Sequence, residues 1–84
     1  MFIVYILKSQ KVNRYYTGVT QDINQRLERH NQGRNFSTKP YRPWQMIYTE
    51  RYSSRSEALK REKQIKSYKG GEAFKKLLKN AGIV

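Results

Sequence analysis

The chain has no cysteine, one histidine, two prolines and six acidic residues. The absence of cysteine excludes disulfide scaffolds, thiolate nucleophiles and cysteine-ligated zinc. The single histidine, His30, excludes metal sites built on two or more imidazoles. No apolar run is longer than a few residues, so no membrane span is expected, and the N-terminus lacks the pattern of a secretory signal. The expected compartment is the cytoplasm.

Positive charge is what the chain has in excess. Eighteen Lys and Arg give a formal net charge of +12 over 84 residues. Residues 1–54 and residues 55–84 each carry nine basic and three acidic side chains. The chain therefore reads as a basic globule rather than a neutral domain with a basic tail. The natural partner of such a surface is a polyanion, because each phosphate contact releases counterions. Nucleic acid is the expected partner, ahead of acidic proteins and membrane surfaces. A chain of this length has room for one modest core, and a single domain over residues 1–84 is expected.

Periodicity sets the elements. Residues 2–7 (Phe-Ile-Val-Tyr-Ile-Leu) are apolar on both alternating faces, which predicts a strand covered on both sides. Residues 14–19 read as a second strand, antiparallel to the first, with Gly18 permitting close backbone approach or a bulge. Asp22 with Gln25 forms a capping box that opens a helix over residues 23–32, stopped by Gly33. Residues 33–43, with a glycine and two prolines, read as irregular loop. Its cations Arg34, Lys39 and Arg42 and aromatics Phe36 and Tyr41 suit either strand contact or ordinary surface. Residues 44–52 form a third strand, with Trp44, Met46 and Tyr48 alternating against Gln45, Ile47 and Thr49. Ser54 and Glu57 cap a second helix over residues 55–66, and residues 72–79 form a third. The order β-β-α-β-α-α predicts an α+β fold, a small and mainly antiparallel three-stranded sheet flanked by helices.

Polar residues on apolar stripes carry the functional signal. On the second helix, Ala58, Leu59 and Ile65 define the inward face, and Glu62 lies within it. Lys60, Arg61, Lys63, Gln64 and Lys66 can face water. A buried carboxylate is costly unless paired or metal-bound. Glu62 is thus either one arm of a salt bridge to Arg26 or a neighbouring lysine, or a metal ligand. On the first helix Arg26 and His30 stand four residues apart at the margin of the Ile23/Leu27 stripe, a pairing suited to phosphate binding and proton handling. Tyr5 and Tyr16 lie in the two hairpin strands, where tyrosine is ordinarily core or rim filler.

Val4-Tyr5-Ile6 followed by Tyr16-Thr17-Gly18 resembles the paired motif of the GIY-YIG endonuclease superfamily. Arg26, His30 and Glu62 stand downstream in the order that family uses. The likeness covers most of the chain and is nearest to the small single-domain bacterial members, whose second helix residues 55–66 resemble. Val4 replaces the name-giving glycine of the first motif, and Thr17 replaces isoleucine in the second. Family nucleases often carry an asparagine after the glutamate, and Asn80 is the only one downstream here.

The resemblance implies hydrolysis of phosphodiester bonds, with DNA as the expected substrate, at a site holding one Mg²⁺ or Mn²⁺. It assigns the metal to Glu62, the phosphate charge to Arg26, water activation to Tyr5 with His30 as proton acceptor, and positioning to Tyr16. Nearby cations are expected to favour the Tyr5 phenolate. Arg34, Lys39, Arg42, Lys63 and Lys66 are the expected nucleic-acid contacts. Two-metal nucleases fit worse, because among the six acids only Glu62 reads as inward-facing. The restriction-type Glu-x-Lys element is absent. With no separate recognition domain expected, cutting would be structure-selective, or a protein partner would supply targeting. The alternatives are a non-catalytic nucleic-acid-binding module on the same scaffold, a metal-independent basic ribonuclease and a ribosome-associated structural protein.

Overall fold

A computed structural model describes residues 1–83. Three strands, β1 (Phe2–Ser9), β2 (Tyr15–Thr20) and β3 (Trp44–Tyr52), form one sheet in the order β2-β1-β3, antiparallel throughout. Three helices, α1 (Ile23–Asn31), α2 (Arg55–Ser67) and α3 (Glu72–Asn80), complete the expected β-β-α-β-α-α order. No helix among the described residues is long and apolar enough to cross a membrane.

The two-sided apolar character of β1 follows from its central place. Val4 and Ile6 pack with Ala58 and Ile65 of α2 and Phe74 and Leu78 of α3 on one face. Tyr5 and Leu7 pack on the other with Trp44, Ile23 and Leu27. A strand covered on both faces gives its central positions, Ile3 to Leu7, to large side chains with apolar bodies.

Local signals place the helices. The Asp22 carboxylate accepts the Gln25 N–H at 3.0 Å, and the Ser54 hydroxyl accepts the Glu57 N–H at 3.3 Å. α1 ends one residue earlier than expected, at Asn31. Gly33 (φ +77°) donates to the His30 carbonyl and Arg34 to the Arg29 carbonyl, closing a Schellman motif. The segment after Gly33 is not wholly irregular. Lys39–Tyr41 make a single 3-10 turn with Pro40 at its start, where the missing N–H costs nothing.

Two expectations are corrected. The alternation along β3 breaks at Ile47, because Leu7 pairs with Met46 while Ile6 pairs with Tyr48. That bulge reverses the phase, so Trp44 and Met46 pack with Tyr5 and Leu7 while Tyr48, Glu50 and Tyr52 face α2. On α2, Leu59 is 40% exposed rather than inward. The stripe that faces the sheet is Ala58, Arg61, Glu62 and Ile65, at the i, i+3, i+4, i+7 spacing, and it carries two charges instead of one.

Candidate active site

Tyr5 starts the site. It sits in the middle of β1, is fully buried, and is paired across the ladder with Gly18 of β2. A Cβ built on Gly18 would lie 2.5 Å from the Tyr5 hydroxyl oxygen and 2.7 Å from Cζ. The missing side chain is what lets the ring lie across β2 toward the sheet edge. Gly18→Ala is therefore expected to destabilise the domain by about 1–3 kcal/mol and to drive the phenol from its place. A thermal melt checks this; an unchanged midpoint would show that the ring has room to retreat.

The Tyr5 hydroxyl lies 3.1 Å from Nε2 of the buried His30, whose Nδ1 lies 2.8 Å from Oγ1 of Thr38. The Thr38 hydroxyl donates to the Asn35 carbonyl at 3.3 Å, and the Trp44 indole N–H donates to the Thr38 carbonyl at 2.9 Å. With its own proton directed to Asn35, Thr38 accepts from Nδ1–H. That assigns the tautomer and leaves the Nε2 lone pair to accept the Tyr5 proton. Thr38 is the residue that sequence reasoning missed here, because nothing in a loop threonine announces that it will orient an imidazole.

The electrostatics overturn the expected phenolate. Burial, and then the neighbouring Tyr16, push the Tyr5 phenol up to about 12, although the adjacent Arg26 pulls it down; Glu62 raises it further. Burial lowers the His30 pKa below its ordinary 6.5, and the charges of Arg26 and Arg29 lower it further. Both partners are neutral near pH 7. Desolvation outweighs the cations because the phenol is wholly withdrawn from water.

Tyr16 stands outside this pair, half-buried on the edge strand. Its ring centroid is 4.9 Å from that of His30 and 6.3 Å from that of Tyr5. The Lys66 Nζ lies 6.0 Å from the Tyr16 ring centroid and 3.2 Å from Glu62 Oε2. Glu62 is 20% exposed, so the lysine pairing foreseen for it is present, and its charge is also felt at Tyr5. Arg26 is half-buried one turn before His30, and among the described residues no carboxylate lies within 4 Å of it. The fold thus gathers Tyr5, Tyr16, Arg26, His30 and Glu62 at the β2 edge, between α1 and α2.

Two grooves flank this cluster. One, of about 370 Å³, is lined by Arg26, Arg29, His30, Arg34, Asn35 and Phe36. The other, of about 380 Å³, includes Arg14, Tyr16, Lys66 and Lys69. Of the expected nucleic-acid contacts, Arg34 and Lys66 line these grooves. Lys39 and Arg42 instead close over Gly33, and Lys63 is exposed on α2 and borders neither groove. Arg29, Arg14 and Lys69 were not foreseen. Arg29 was findable, three residues after Arg26 on the same helix. Asn80 ends α3 on an exposed position.

Residues 1–75 match the family model of the GIY-YIG catalytic domain. The chain belongs to the GIY-YIG family. UPF0213 proteins of Staphylococcus aureus strains Mu3 and N315 are each 47% identical over 66 residues, covering 77% of this chain and 79% of theirs. The solution NMR structure of a UPF0213 protein from Bacillus halodurans superposes with a TM-score of 0.55 at 28% identity, over 96% of this chain and 85% of that one. GIY-YIG domains are a nuclease-type family, and its nucleases generally use divalent metals.

The donor set can be tested against such an ion. Among the described residues no group of three or more His, Cys, Asp or Glu side chains converges. Glu62 offers one half-buried carboxylate that already holds a cation, the Lys66 ammonium. One carboxylate suits a hard divalent ion whose remaining ligands are water and phosphate oxygens, and affinity without substrate would be weak.

Proposed function

We propose that this chain is a divalent-metal-dependent endonuclease that hydrolyses phosphodiester bonds in DNA. The observation that carries the reading is the meeting of Arg26, the Tyr5–His30 pair, Tyr16 and Glu62 at one sheet edge between two basic grooves. The grooves would hold the strand on either side of the scissile phosphate, with Arg26 forked onto its oxygens as charge develops. Glu62 would hold the metal ion, which when bound supplies Lewis-acid activation and neutralises charge on the leaving oxygen.

Tyr5 is out of reach of bulk water, so direct contact with the attacking water falls to Tyr16. Tyr5 stands behind it with its proton committed to His30. As the attacking water gives a proton to the Tyr16 oxygen, the Tyr16 proton would pass to the Tyr5 oxygen and the Tyr5 proton to Nε2; such a relay needs no free phenolate, which suits a phenol held near 12. Thr38 keeps the imidazole turned to receive it.

The test is cleavage of single-stranded, duplex, flapped and branched DNA with Mg²⁺ or Mn²⁺ and with EDTA. Metal-dependent cutting of at least one DNA, stopped by EDTA, is the expected result. Cutting of RNA that survives EDTA would replace this reading with a metal-independent ribonuclease. Binding with no cutting under any condition would leave a nucleic-acid-binding module.

A further inference from the structure

The Phe36 ring is 92% exposed, more than any other large apolar side chain among the described residues. A single exposed aromatic is unremarkable by itself. Its surroundings are not ordinary. The turn that carries it is fixed on both shoulders: Asn35 Oδ1 accepts from the Ser37 N–H (3.1 Å) and hydroxyl (2.8 Å), and the Asn35 carbonyl accepts from the Lys39 N–H (3.0 Å). Thr38, two residues on, is buried against His30 and Trp44. The backbone beneath the ring is fixed by these bonds, and the ring shares its groove with Arg26, Arg29 and Arg34. Among the described residues, no carboxylate lies within 4 Å of any of these three guanidiniums.

We infer that Phe36 is a stacking platform for an unpaired nucleobase of the strand held for cleavage. This rests on the nuclease reading above and adds a substrate class to it. An exposed flat ring on a fixed turn, beside three guanidiniums with no carboxylate partner, complements a chain of alternating phosphates and π faces. An acidic protein would satisfy the charges but has no regular supply of flat faces. Inside a duplex both faces of each base are already stacked, so the platform selects an unpaired nucleotide, in a single strand, gap or flap, lying in the same groove as Arg26.

The test is binding in EDTA, so that no strand is cut. The probe is a short single-stranded DNA with 2-aminopurine placed at successive positions, and closed circular duplex DNA is the comparison. At one position the fluorescence should be quenched on binding. Phe36→Ala should weaken single-strand binding by about ten-fold or more, abolish the quench and leave the duplex affinity unchanged. Phe36→Trp should restore both. Equal losses on both DNAs, no loss on either, or a quench that survives Phe36→Ala would overturn the platform. EDTA-sensitive cleavage in the separate assay would then still support the nuclease, and an unchanged affinity would assign the ring to another partner, a protein included. Failure to bind either DNA would overturn both readings.

Discussion

Glu62→Gln is expected to cut metal-dependent cleavage by about a hundred- to a thousand-fold, the scale on which a single group stabilising a transition state is lost. Binding of the uncut strand should be unchanged or tighter. The amide keeps the shape of the side chain and so the packing of α2, but it removes the one carboxylate that points from this helix into the site. It also removes a negative charge from beside the place proposed for phosphate. Lys66 loses its partner at little cost, because that ammonium is 53% exposed and an i, i+4 pair of this kind contributes only about 0.3–0.5 kcal/mol. The melting temperature should therefore hold while turnover falls. Activity near that of the parent would remove the proposed metal ligand, and the hydrolytic mechanism with it. A parallel loss of turnover and stability would assign Glu62 a role in packing α2.

Three residues of this site could be read from the chain alone because each breaks a local pattern, whereas Tyr5 and Tyr16 stood out through the family resemblance. Arg26 and His30 interrupt an apolar margin, and Glu62 interrupts an inward stripe. Their convergence follows from the hairpin and the two capped helices, whose signals lie within a few residues of one another. What escaped the reading depends on contacts that no local window contains. Arg61 meets Glu50 across the turn between β3 and α2, so its inward direction shows only once α2 is laid on the sheet. The same is true of Leu59, which is 40% exposed although Ala58, one residue before it, is fully buried. The bulge at Ile47 hid the turning of Glu50 toward α2, since strict alternation gave no reason to join Tyr48, Glu50 and Tyr52 with that helix. The ionisation state of Tyr5 was out of reach for another reason. A sequence lists the cations near a phenol but not the depth of its burial, and here depth decides.

Glu50→Gln is expected to destabilise the domain by about 3 kcal/mol at pH 7 and to flatten its acid response. The Glu50 carboxylate is 16% exposed and takes four donors. Oε1 accepts from the Tyr52 hydroxyl (2.6 Å) and Arg61 Nε (2.8 Å), and Oε2 accepts from the Tyr48 hydroxyl and Arg61 Nη2 (3.0 Å). Burial alone would raise its pKa, but donation from Arg61, Tyr48 and Tyr52 outweighs burial and holds it at about 2, below the ordinary 4.5. A depressed carboxyl contributes its full stability above pH 4.5, and the contribution is lost as pH falls through 2. For the parent that loss is on the order of 2–3 kcal/mol. His30 acts in the same direction but nearer neutrality: the unfolded chain takes up its proton first, so stability begins to fall below pH 6.5. Urea titrations at pH 7, 5 and 3 separate the two groups. The parent should weaken at each step, whereas Glu50→Gln should start low and lose less between pH 5 and pH 3. Arg61 and Glu62 are neighbours on α2, one tied to β3 and the other paired with Lys66 beside Tyr16, so loosening the first should also blunt cleavage well below the melting temperature. If Glu50→Gln melts like the parent and keeps its acid slope, α2 is held by Ala58 and Ile65 alone, and the aim of Glu62 owes nothing to this ion pair.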